Sequence, residues 1–107
     1  FISEHSLEVQ IPFLQYIYDN FIVFPILVGD IDFLNIFNIL AKLDLSDSLI
    51  IVSSDLSHYL PLKENSMQDK ISLDAIKDLD SERFDKFGDA CNKNAVSALL
   101  KLADYYK

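Results

Sequence analysis

Phe21-Ile22-Val23-Phe24-Pro25-Ile26-Leu27-Val28-Gly29 is the longest apolar run of the chain, and its reading decides the fold. The run is far too short to span a bilayer, and it is rich in β-branched and aromatic side chains, as suits a strand covered on both faces. Pro25 lacks an amide hydrogen, which places such a strand at a sheet edge or marks an irregularity in it. A second run, Leu49-Ile50-Ile51-Val52, has the same character. Between the two, Asp30 can cap a helix from about Ile31 to Leu43, with Phe33, Ile36, Phe37 and Leu40 turned inward. Two apolar strands joined by a helix of this length read as a βαβ unit, with parallel strands and helices laid over the sheet. The expected class is α/β.

Outward from this unit the pattern is helical. Leu7, Ile11, Leu14 and Ile17 share one face, and Pro12 must either kink that helix or begin a second one in its first turn. Downstream, helices are expected from about Lys63 to Leu79, from a cap at Asp80 through Phe87, and from Asn94 to Tyr106 with Val96, Leu99, Leu100 and Ala103 facing in. There is no internal repeat, low-complexity segment or linker, so residues 1–107 read as one domain.

Composition narrows the function classes. Half of the 107 residues are apolar, enough for a modest core. Seventeen acidic against nine basic residues give a balance of −8, and the lysines are scattered, so no phosphate-binding footprint is present and nucleic acid is a poor partner. One cysteine excludes an internal disulfide framework. With no secretory segment and no membrane-length apolar run, the chain reads as soluble and cytoplasmic.

The chemistry concentrates in three polar places: Glu4-His5-Ser6, Ser53-Ser54-Asp55-Leu56-Ser57-His58-Tyr59, and Cys91. Together they hold both histidines and the single cysteine, side chains on which metal and acid/base sites draw. The middle stretch follows directly on the second apolar run, at the sheet edge where open α/β folds place ligands. Cys91 sits in the turn Gly88-Asp89-Ala90-Cys91-Asn92 ahead of the last helix, where amide groups and the helix dipole favour a thiolate, so it is a candidate metal ligand. Each residue also has a plainer reading: Cys91 as a small core hydrophobe, Asp55 and His58 as local loop caps, His5 as a helix-start residue. A hydrolase triad of Ser54 or Ser57 with His58 and Asp55 is disfavoured, because residues so close on one loop do not easily reach the required geometry.

Taken together, Glu4-His5-Ser6-Leu7-Glu8-Val9-Gln10-Ile11-Pro12-Phe13-Leu14, Pro25-Ile26-Leu27-Val28-Gly29, Ser53-Ser54-Asp55-Leu56-Ser57-His58-Tyr59 and Cys91 ahead of Ala95-Val96 resemble the Memo family in order and spacing, over nearly the whole chain. In bacteria and archaea this family is protein B of the AmmeMemoRadiSam system. The resemblance implies a three-layer α/β sandwich with a mainly parallel sheet flanked by helices, similar to the class III extradiol dioxygenases, which are non-haem iron enzymes. It also implies a metal pocket, with iron or copper held by two histidines from the family's amino-terminal half and by a cysteine matching Cys91. The residues matching Asp55 and His58 lie beside that metal and would be catalytic. His5, Glu8 and Ser54 would line the pocket.

Against the family pattern, the amino-terminal Pro-His-Ala-Gly and Pro-Ser-His blocks and the carboxyl-terminal strands have no counterpart here, and Asn92 stands where glycine is usual. The chain is therefore expected to be a partial Memo-like domain that holds no metal by itself, and to self-associate or pair with the missing half. Two functions follow: a metal-dependent redox or oxygenase-like protein acting on a small molecule, or a metal-free module that binds a peptide or small ligand.

Overall fold

The computed structural model describes residues 5–57 and 61–107. Five helices follow one another: α1 (Ile11–Ile17), α2 (Phe33–Leu40), α3 (Leu62–Lys77), α4 (Ser81–Phe87) and α5 (Lys93–Tyr105). His58, with Tyr59 and Leu60, lies outside the described residues, as do Phe1 to Glu4.

The expected α/β sandwich is not what the described residues form. They contain no strand. Residues 21–29 and 49–52 run irregularly between the helices, and no backbone hydrogen bond joins one run to the other. β-branched composition favours an extended backbone, but a strand becomes a strand only when its amides and carbonyls meet a partner ladder. The helix meant to carry the chain back across the sheet is instead committed elsewhere, because α2 packs against α5. The first run is left largely in solvent, with Ile22 97% and Phe24 86% exposed.

The helices themselves follow local chemistry. Pro12 occupies the first turn of α1, where a missing amide hydrogen costs nothing, and Ser6–Gln10 lead in as turns. α2 is capped by Asp32, whose Oδ1 accepts from the Leu34 amide at 2.8 Å, so the cap lies two residues beyond the expected Asp30 and the helix is shorter than the periodicity suggests. Asp80 caps α4 as expected, accepting from the Arg83 amide at 3.0 Å. Between α3 and α4 the chain reverses through Leu79, which takes a left-handed φ of 54° while the Asp80 amide reaches back to the Ala75 carbonyl at 2.9 Å. Glycine would suit that backbone better, but the Leu79 side chain packs on the core.

That core is small and lies where α3, α4 and α5 meet. Ala75, Phe84 and Leu100 form its centre, with Ile76, Leu79, Ala90 and Val96 packed around them. α5 buries Ala95, Ser97, Ala98, Leu100 and Leu102, a wider face than the expected Val96, Leu99, Leu100 and Ala103, because it is covered by α2 on one side and α4 on the other. Gly88 ends α4, and a Cβ there would meet the Phe84 carbonyl oxygen at 2.6 Å, so this close turn admits no side chain without movement. The turn delivers the chain to Cys91.

Candidate functional site

Cys91 meets the polar stretch that follows the second apolar run, although the two are separated by more than thirty residues of sequence. The contact is reciprocal. The Asp55 amide donates to Cys91 Sγ at 3.2 Å, and the Cys91 amide donates to the Asp55 carbonyl at 3.1 Å. Ser54 Oγ lies 3.4 Å from Sγ, accepts from the Asn92 amide at 3.1 Å and donates to the Asp55 carbonyl at 3.0 Å. Asn92 Nδ2 adds a bond to the Ser53 carbonyl at 3.0 Å. Gln10 Nε2, just ahead of α1, donates to Ser53 Oγ at 3.1 Å.

The proton count at this cluster is informative. Ser54 has one hydroxyl hydrogen, and while it is given to the Asp55 carbonyl the hydroxyl oxygen can only accept. A Cys91 thiol can then donate its hydrogen to Ser54 Oγ. If the sulfur is a thiolate, rotation of the Ser54 hydroxyl supplies it with a second donor beside the Asp55 amide, and the Asp55 carbonyl still keeps the Cys91 amide. The cluster therefore has hydrogen-bond partners for either protonation state of an exposed sulfur.

Other residues expected at the site are placed differently. His5 Nδ1 pairs with Glu8 Oε2 at 3.2 Å, both side chains being 71% exposed, so these two partner each other at the surface. Of the three expected pocket residues, His5 and Glu8 make no hydrogen bond to Cys91 among the described residues. Ser54 touches the sulfur directly. Asp55 does so through its backbone. His58 lies outside the described residues. Asn92 and Gln10 carry no signal of a site role in the sequence, since an amide side chain in a turn is common until its partner is known.

Beside the cluster runs an open groove of about 740 Å³, bounded by Val28–Phe33, Asp85 and Ala90–Asn94. Asn94 holds its two walls together, because its Nδ2 donates to the Gly29 carbonyl at 2.8 Å and the Ile31 carbonyl at 3.0 Å. Asp30, Asp32 and Asp85 outnumber Lys93 around it.

A metal makes a sharper demand. Among the described residues no three histidine, cysteine, aspartate or glutamate side chains come together as a metal-holding set. Cys91 supplies one donor, and its sulfur is already held by an amide and faced by a hydroxyl, so the described residues do not by themselves fit a metal ion. Nor is any helix among them long and apolar enough to cross a membrane.

Comparison with known proteins agrees with the motif reading. The family described as Memo-like protein matches residues 1–102. A MEMO1 family protein of Methanococcoides burtonii is 37% identical over 112 aligned positions, covering 94% of this chain and 42% of the relative. One of Aeropyrum pernix is 38% identical, covering 91% of this chain and 36% of the relative, and one of Archaeoglobus fulgidus is 38% identical, covering 76% and 33%. The chain thus spans about two fifths or less of the length of these relatives. No solved structure matches. Reaching from the histidine-bearing first block into the last helix, these matches make the chain a member of the Memo-like family.

Proposed function

We propose that this chain carries the cysteine side of a metal-dependent redox or oxygenase-like Memo site, with Cys91 as the metal-directed donor and iron or copper as the metal. The observation that supports it is the Ser54–Asp55–Cys91 cluster, in which two distant polar segments meet on one sulfur. The work of this chain's own residues there is positional. The Asp55 amide and the Ser54 hydroxyl orient the sulfur and accommodate its proton, and the Asn92 bonds hold the turn that presents it. In this reading His58 would move a proton, Asp55 would fix its tautomer, and His5 and Glu8 would line the pocket of the assembled protein. The further donors come from elsewhere in the assembled protein, because one cysteine is too few.

The groove along Val28–Phe33 favours a second reading, in which the same region binds a small molecule or peptide without metal. An anionic ligand would face three carboxylates there, so the groove suits a neutral or cationic group. The exposed apolar side chains of the first half support self-association or pairing with further family polypeptide as part of either reading.

Metal content decides between the two. The protein expressed from its own gene and purified without oxygen is expected to hold near-stoichiometric iron or copper that is lost in Cys91→Ala. Metal absent from both forms would overturn the metal reading and leave the binding module.

A further inference from the structure

We infer that Asp69 is a positioning residue for the Ser54–Asp55–Cys91 site, acting from α3 with Gln68 and Ser72 beside it. The inference rests on the reading of that cluster as the functional centre, and it concerns what holds the two halves of the cluster in register. Asp69 Oδ1 accepts from Ser57 twice, from Oγ at 2.6 Å and from the amide at 3.1 Å. Two donors of one residue on one carboxylate oxygen fix both the rotamer and the backbone of Ser57, and charge-assisted bonds are the strong ones of their kind. Ser57 lies two residues beyond Asp55 and directly before His58. Asp69 therefore clamps the downstream end of the polar stretch, while Cys91 and Asn92 hold its upstream end.

The same helix holds the other half of the cluster. Gln68 Nε2 donates to the Phe87 carbonyl at 2.7 Å, and Ser72 Oγ accepts from the Asp89 amide at 3.0 Å while donating to the Gln68 carbonyl at 3.2 Å. Phe87 ends α4, and Asp89 lies in the short turn that leads from it into Cys91. Positions 68, 69 and 72 lie within about 100° of one another around a helix. One side of α3 thus grips both loops whose meeting makes the site. A carboxylate half-buried in mid-helix, with both bonds spent on one loop residue, contributes little to the α3–α4–α5 core, in which it has no place. Its contacts are with the site's scaffold.

The test is residue-resolved amide hydrogen exchange on the wild-type chain, Asp69→Ala and Asp69→Asn. In Asp69→Ala the Asp55 and Cys91 amides, which bond across the cluster, are expected to lose protection by about tenfold or more, while the α5 amides of Ala98 and Leu100 stay within about twofold. Asp69→Asn keeps an acceptor oxygen and is expected to restore most of the loss, which a general weakening of the fold would not show. Site amides unchanged in Asp69→Ala would overturn the inference, as would an equal loss at site and core. Exchange reads this geometry whether or not a metal binds, so its outcome is separate from that of the Cys91→Ala metal assay.

Discussion

Among the described residues, six of the seven buried apolar ones lie between Ala75 and Leu102, and only Phe33 lies in the first half. Large exposed apolar side chains divide the other way among the described residues, with seventeen from Val9 to Ile51 and seven from Leu62 to Tyr106. The two regions do not differ for lack of hydrophobic residues in either. They differ because α3, α4 and α5 find one another, while the apolar runs of the first region find no ladder and no covering layer. The chain exposes 8233 Å², against about 6,000 Å² for a compact monomer of this mass. The excess of roughly 2,000 Å² is larger than the ~800 Å² that one partner gives to a standard interface.

The strongest break of this contrast would be a chain that stays monomeric. Light scattering across a concentration series is expected to show self-association, accompanied by binding of an apolar dye, and Ile22→Lys with Phe24→Lys is expected to reduce both. A monodisperse monomer without dye binding would show that the first region is covered in solution.

The next test compares one residue from each region. Phe84 is fully buried at the centre of the core, and Phe84→Ala is expected to cost about 3–5 kcal/mol, read as a fall in the urea midpoint. Ile22→Ala removes a side chain already in solvent and is expected to stay within about 0.5 kcal/mol. Similar costs at the two positions would mean that the first region has a core of its own.

The smallest effect belongs to the surface of α3. Asp74 is held below its ordinary carboxylate value of 3.8, first by the hydrogen bond from Lys70 Nζ, which lies 2.9 Å from Asp74 Oδ2. A carboxyl whose folded value is depressed stabilises fully above its unfolded value and loses that contribution as pH falls through the folded one. Lys70→Ala is therefore expected to flatten slightly the acid side of the stability curve below about pH 4, without moving stability near neutrality by more than a surface pair allows. The change is to be read from urea midpoints between acid and neutral pH, and an unchanged acid limb would remove Lys70 as the cause.

How much was legible beforehand varies with the range of the interaction concerned. The turn at Pro12 and the Asp80 cap were readable because each is settled by a residue and its near neighbours. Local chemistry puts the cap of α2 two residues early, since Asp30 and Asp32 offer the same oxygen chemistry and only the backbone chooses between them. Cys91 and the polar stretch holding Ser54 and Asp55 stand out by residue type, and the structure brings them together. His5 and Glu8 come from the family motif, and the structure adds that they pair with each other at the surface, a contact that a motif, which carries no distances, does not state. Asp69 and Asn92 gave no signal, because a polar residue on a helix or in a turn is common until a distant donor faces it.

The sequence by itself determined family membership, the positions of the helices after Pro61 and the residue types available for chemistry, all of which rest on order, spacing and local capping. Tertiary structure alone decided that residues 21–29 and 49–52 stay unpaired, that α2 turns to α5, and that a serine, an aspartate backbone and a cysteine share one cluster. Those outcomes depend on which surfaces meet across long stretches of chain, and an apolar run states only that it must be covered, not by what.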